Sequence, residues 1–213
     1  MPSVLCVVGR PEANTPSIVR GLVRELTAKG VRVAVVVESV APTPLAPQVA
    51  DYAAAGGKMV VVKAPGNVTS VRRVDEEPSL DELVWELRDE YDIVLAEGFR
   101  HSSFLKLEAH RAADGDLLCH KNELLAIAGD RPEGVDVPSF AIDDFVGMAD
   151  LIRRRFLAAE PGEDAALFVD GVRVPLALFV RQIVAGSIMG MVRPLKGVEN
   201  PRSVVVSVRK RGQ

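Results

Sequence analysis

Tyr91–Arg111, YDIVLAEGFRHSSFLKLEAHR, is the stretch whose reading decides the fold. Asp92 leads into the apolar run Ile93-Val94-Leu95-Ala96, about the length of a buried strand. Glu97-Gly98 closes the run and sets a carboxylate where strand meets loop. In open α/β sheets the carboxyl ends of the strands are where ligands bind. After a polar turn, Phe104-Leu105-Lys106-Leu107-Glu108 alternates apolar and polar side chains, as a second, half-exposed strand would. The same spacing also suits a charged loop between two strands.

Working outward, the chain alternates strand-like and helix-like pieces. Val4 to Val8 reads as a strand, followed by a nine-residue loop, Gly9 to Ser17. Thr15-Pro16 looks like a helix entry, a capping hydroxyl and then proline at the first helical position. Ile18, Leu22, Val23 and Leu26 share a helical face that Lys29-Gly30 ends. Val31 to Val37 reads as a second buried strand. Strand, helix and strand within this span make a βαβ unit, and so a parallel sheet. Further pieces are a helix over 48–55, a strand over 58–63 and an ambiguous polar stretch over 67–77. Ser79 to Glu82 reads as a capping box opening a helix with Leu83, Trp85 and Leu87. Strands over 124–128 and 137–142 and a helix over 145–158, with the basic triplet Arg153-Arg154-Arg155, complete the body.

Residues 160–164, Glu-Pro-Gly-Glu-Asp, read as a linker. The expected division is an α/β domain over 1–159 and a small α+β extension over 160–213. In the extension, Asp170-Gly171 suits the turn of a hairpin over 166–174. A helix over 178–191 and a closing strand over 203–208 follow. Leu178, Phe179, Ile183, Ile188 and Met191 give that helix more apolar area than so small a segment can cover. The expectation is a homodimer in which this helix packs on other protein surface.

Composition narrows the function. Hydrophobic content of 48% supports a real core, and no segment reaches the run of about 18 apolar residues a membrane span needs. A net charge of −3 gives no footprint for nucleic acid. Met1-Pro2-Ser3-Val4 runs straight into a strand with no signal-peptide pattern. Cys6 and Cys119 form no metal-ligand pattern and read as reduced thiols of a cytoplasmic protein.

The first loop stands where a phosphate-binding P-loop would. That mechanism needs glycines for close backbone approach, a lysine for the phosphates, and a Ser or Thr hydroxyl on magnesium. Reading G-x-x-x-x-G-K-[ST] from Gly9 puts Asn14, Thr15 and Pro16 at its last three places, and none matches. Arg10 offers charge from the other end of the loop.

The central stretch resembles the MobB family, the GTP-binding adaptor proteins of molybdopterin guanine dinucleotide biosynthesis. The family's hallmark is an acidic-apolar strand ending in Glu-Gly-Phe-Lys/Arg, followed by Lys-x-Glu-x-x-Arg. Here these are Glu97, Gly98, Phe99 and Arg100, then Lys106, Glu108 and Arg111, with Leu105 in place of the usual proline. The order of elements to about residue 157 and the Ala126–Asp130 strand end also fit. The resemblance implies a P-loop NTPase-like α/β fold, a mostly parallel sheet flanked by helices, in a dimer that binds GTP with Mg²⁺ and hydrolyses it slowly. It implies that Glu97 stands near the metal, and that Gly9, Arg10, Asn14, Thr15 and Ser17 form the nucleotide loop. It further implies a partner among molybdenum-cofactor nucleotidyltransferases or molybdoenzymes. No catalytic residue is assigned, and at most a weak GTPase is expected. The departures fall on the nucleotide site, because Thr15 stands at the motif's lysine position and Pro16 at its hydroxyl position. Glu38-Ser39 also stands where the family tends to have Lys-His. A second reading is therefore a non-catalytic P-loop-like binding or assembly subunit.

Overall fold

A computed structural model describes residues 2–41, 43–87, 90–158, 165, 167–169, 172–174, 176–199, 201 and 204–208. β1 (Ser3–Gly9) is buried on both faces, and α1 (Thr15–Ala28) returns over it. β2 (Val33–Val37), α2 (Pro47–Ala54), β3 (Met59–Ala64) and β4 (Asn67–Arg72) follow. Next come α3 (Leu80–Leu87), β5 (Ile93–Glu97), β6 (Lys106–His110), β7 (Leu124–Gly129) and β8 (Ser139–Phe140). α4 (Phe145–Ile152) runs into a π-helical turn, Arg153–Leu157.

The sheet order is β2-β5-β1-β6-β7-β8, with every pairing parallel. Alternation along β1 builds two cores. Leu5 and Val7 meet Leu22 and Leu26 of α1 and Met148 and Ile152 of α4. Val4, Cys6 and Val8 face the other way, toward Leu80 and Val84 of α3 and the coil bearing Cys119 and Val135.

Several expectations change. β5 inserts between β1 and β2, leaving β2 at the sheet edge with Val35 and Val37 exposed, so it is not the buried strand its composition suggests. The strand expected over 58–63 forms, but pairs only with β4, in a separate antiparallel hairpin. The capping box is made: the Glu82 carboxylate accepts from the Ser79 amide at 2.7 Å, and the Glu82 amide donates to Ser79 Oγ at 3.3 Å. The helix it opens buries Leu80 and Val84, and Trp85 lies on its outer side. Arg153 of the basic triplet pairs with Asp150 at 3.7 Å.

β6 departs most. Its apolar–polar alternation is real, but Lys106, Glu108 and His110 are 0%, 1% and 3% exposed. β1 and β7 flank the strand, and the following coil covers its polar face, so alternation did not mean exposure.

In the C-terminal segment, β9 (Leu167–Val169) and β10 (Val172–Val174) form the expected hairpin and α5 spans Leu178–Val192. Residues 160–164 and the turn at 170–171 lie outside the described residues. Residues 204–208 carry no strand, so the closing strand is not formed over them. Among the described residues, no helix is long and apolar enough to cross a membrane.

Candidate functional site

The carboxyl ends of β2, β5, β1 and β6 bring the expected site residues to one edge. Gly9 ends β1, and a side chain there would press within 3.1 Å of Ala13, Thr15 and Ala109. The loop tightens into a 3-10 turn, Pro11–Ala13. It leaves through Asn14, which is left-handed at φ 52°, ψ 49° and caps α1. Asparagine tolerates that region better than most residues, so it gives the backbone what the motif asks of glycine. The helix therefore starts one residue earlier than the sequence suggests, with Thr15 and Pro16 as its first two residues.

Freed from capping, the Thr15 hydroxyl donates to Glu97 Oε1 at 3.1 Å. This contact joins the loop to the end of β5. The Ser17 amide donates to the Asn14 carbonyl at 3.0 Å as α1 begins. Arg10 donates through Nη2 to the Asp116 carbonyl at 3.2 Å, while its buried Nε has no partner among the described atoms.

The Glu-Gly-Phe-Arg turn is unusual in its backbone. Gly98 and Phe99 both have positive φ, 90° and 55°. For a bulky residue such as Phe99 that is costly, and such strain collects at functional loops. Glu38 holds the turn, accepting from the Phe99 amide at 2.7 Å. A side chain at Gly98 would stand 2.8 Å from the same carboxylate. Sequence reading noted Glu38 only as a departure from the family's Lys-His and missed this contact. Arg100 turns away and donates to the Leu118 carbonyl at 3.0 Å.

The second half of the motif serves the coil over 111–123. Lys106 donates to the Ser102 carbonyl at 2.6 Å and pairs with Glu123 at 3.4 Å. Glu108 accepts from the Leu118 and Cys119 amides at 2.7 and 3.0 Å. Arg111 pairs with Asp114 at 2.7 Å, leaving Glu12 of the first loop at 3.9 Å. Burial and the nearby Glu108 carboxylate push the Cys119 thiol up to about 11, and burial also raises Cys6. Both are poor nucleophiles at neutral pH. Among the described residues, no group of three or more His, Cys, Asp and Glu side chains could hold a metal ion.

His110 was not singled out by sequence, although it continues the polar positions of Lys106 and Glu108. Its Nδ1 lies 2.7 Å from the Asp130 carbonyl and its Nε2 2.9 Å from that of Gly115. Two acceptors suit only the doubly protonated ring. Burial works against that charge, but the two carbonyls and the Glu108 and Asp114 carboxylates prevail and raise the pKa. Stability from this group is complete below its unfolded pKa and is lost as pH rises through the raised folded value. The melting temperature should therefore fall between pH 6 and pH 9 in the wild type, with a shallower slope in His110→Gln. Equal slopes would remove His110 as the source.

A parallel sheet with a tight loop between β1 and α1, and acidic groups at neighbouring strand ends, defines a P-loop NTPase-like α/β protein. Residues 4–130 match the sequence model of the family MobB, described as molybdopterin guanine dinucleotide synthesis protein B, and the chain belongs to that family. The fold agrees with solved structures. One, a molybdopterin-guanine biosynthesis protein B, is 22% identical with a TM-score of 0.58, covering 72% of this chain and 99% of its own. Bacillus subtilis MobB is 20% identical with a TM-score of 0.61, covering 75% of this chain and 100% of its own. A MobB homologue from Bacillus stearothermophilus is 17% identical with a TM-score of 0.54, covering 73% and 99%. No curated protein sequence matches the chain.

Proposed function

We propose that the chain acts as a MobB-like adaptor in molybdopterin guanine dinucleotide assembly, with GTP binding and hydrolysis weakened or lost. Family membership supports the pathway. The observation that carries the loss is the bond from Thr15 to Glu97, at the place where the motif asks for a phosphate-binding lysine. Pro16 supplies neither a hydroxyl nor an amide hydrogen. Glu12 and Glu38 add negative charge where a triphosphate would need the opposite. These residues do not fit a magnesium–triphosphate, so no step is routed through one.

In this reading the retained architecture serves binding. The strained Gly98-Phe99 turn and the coil held by Glu108 present a fixed surface to a molybdenum-cofactor nucleotidyltransferase or molybdoenzyme. The protein works as a homodimer, and residues 160–213 form an extension to the family domain. Deleting the gene and measuring guanine dinucleotide released from purified molybdoenzymes tests the role. The expected result is a several-fold drop in loading, restored by wild type and also by Thr15→Val. Unchanged loading on deletion would reject the reading, and failure of Thr15→Val alone would reassign importance to the loop.

A further inference from the structure

The coil after β6 collects three cations on the backbone carbonyls of residues 115–118. His110 Nε2 lies 2.9 Å from the Gly115 carbonyl. Arg10 Nη2 donates to that of Asp116 at 3.2 Å, and Arg100 Nε donates to that of Leu118 at 3.0 Å. The three come from separate places: the end of β6, the first loop and the turn after β5. Carbonyls orient a cation without cancelling its charge.

The carboxylates nearby are engaged elsewhere. Glu108 accepts the Leu118 and Cys119 amides, Asp114 pairs with Arg111 at 2.7 Å, and Glu12 stands 3.9 Å from the same arginine. His110 faces Glu108 and Asp114, which offset its charge. Arg10 and Arg100 have no such offset: among the described residues neither has a carboxylate partner, and each side chain makes a single hydrogen bond. A guanidinium carries five donors, and the buried Nε of Arg10 has no partner among the described atoms. The two anchoring carbonyls belong to residues 116 and 118, whose Cα atoms are at most about 7 Å apart. Both forks can therefore reach one small ligand.

We propose that Arg10 and Arg100 together bind a phosphate dianion, as inorganic phosphate or the terminal group of a phosphomonoester, beside the coil over residues 115–118. Two guanidinium charges call for two negative charges. A phosphomonoester carries about −1.5 to −2 at pH 7, whereas a carboxylate or phosphodiester brings one. Guanidinium forks also match pairs of phosphate oxygens. The positive φ of Phe99, held by Glu38, fixes the backbone just before Arg100, so the clamp is partly ordered before the ligand arrives. Neither Thr15 nor Pro16 takes part, so the site stands whether or not the first loop holds a triphosphate.

The test uses ¹⁵N-labelled full-length protein in phosphate-free buffer at physiological ionic strength. Inorganic phosphate should shift the Nε–Hε signals of Arg10 and Arg100 saturably, with half-saturation on the order of 1 mM, the scale that two charge-assisted contacts support. Arg10→Met and Arg100→Gln should each weaken binding about tenfold or more, and Arg100→Lys should recover only part of the loss, because lysine keeps the charge without the fork. Arg154→Gln is the control, an exposed arginine at the other end of the sheet, where Ser3 donates to Phe156. It should change nothing. GMP and 3′,5′-cyclic GMP compare a monoester with a diester, and the diester should bind about tenfold more weakly or worse. GMP equal to phosphate would show that the dianion alone is recognised; tighter GMP would show that the phosphate belongs to a larger molecule. No saturation by phosphate overturns the site. Equal binding of acetate or cyclic GMP overturns the dianion, and an equal loss in Arg154→Gln reduces the effect to general attraction and overturns the clamp. The wild-type Arg10 and Arg100 signals decide the matter even if Arg10→Met fails to fold: shifts at other arginines and not at these two overturn the assignment.

Discussion

Replacing Glu108 by alanine is expected to lower the unfolding free energy by about 2–6 kcal/mol, since each buried donor left unsatisfied costs about 1–3. The carboxylate is 1% exposed, and its two oxygens take the amides of Leu118 and Cys119. Among the described residues neither amide has another acceptor and Glu108 has no ion pair. Glu108→Gln keeps one acceptor but turns an NH₂ group toward the second amide, so it should fall between wild type and alanine. Urea unfolding measures the loss, and hydrogen exchange locates it. The Leu118 and Cys119 amides should exchange faster before distant strands do. A loss under about 0.5 kcal/mol, the range of ordinary surface substitutions, would show that the coil does not depend on this residue.

The effect should reach the strand-end site because the same coil receives Arg10 at Asp116 and Arg100 at Leu118. Lys106, Glu108 and Arg111 thus shape the site at a distance. Glu108 holds the coil from below, Lys106 pairs with Glu123 at its end, and Arg111 ties its start to Asp114.

The body of the fold was legible where periodicity and burial agree. β1 and β5 are continuous apolar runs, and both lie inside a parallel sheet with helices over it. β2 looks equally apolar, yet edge position is decided by which strand inserts beside β1, a long-range choice absent from local pattern. The hairpin of β3 and β4 was half missed because β4, Asn67–Arg72, carries polar residues on a ribbon open to solvent. β6 misled differently. Polar residues at alternate positions predict a wet face only if nothing covers it, and an irregular coil leaves no periodic signal of its own. At the site, spacing located Glu97 opposite the first loop, since strand ends and the following loops share one edge. Spacing could not show that Thr15 would bond to it, or that Asn14 would take the left-handed position.

Titration with GTP and Mg²⁺ is expected to give no saturable heat at tens of micromolar. Hydrogen bonds to charged groups are worth about 1.5–3 kcal/mol each, so losing the lysine and the hydroxyl removes about 3–6 kcal/mol. That equals about two to four decades of affinity and carries a micromolar site beyond about 100 μM. The Thr15–Glu97 bond adds to the cost, because a ligand entering beside Glu97 must break it or accommodate it. Glu38 works the same way, since freeing its carboxylate releases the strained Phe99 turn. The loop nevertheless keeps a glycine at Gly9, a left-handed residue at position 14 and the start of α1 beyond it. If chemistry and not backbone is what the site lacks, the triple variant Asn14→Gly, Thr15→Lys, Pro16→Thr should bind at least tenfold more tightly than wild type. Phosphate-free buffer and a matched ATP titration separate a nucleotide site from general anion attraction. A clear micromolar isotherm for the wild-type protein would sink the degenerate-site reading. Weak binding by wild type and triple variant alike would instead place the defect in the acidic residues Glu12 and Glu38, whose repulsion a single restored lysine cannot outweigh.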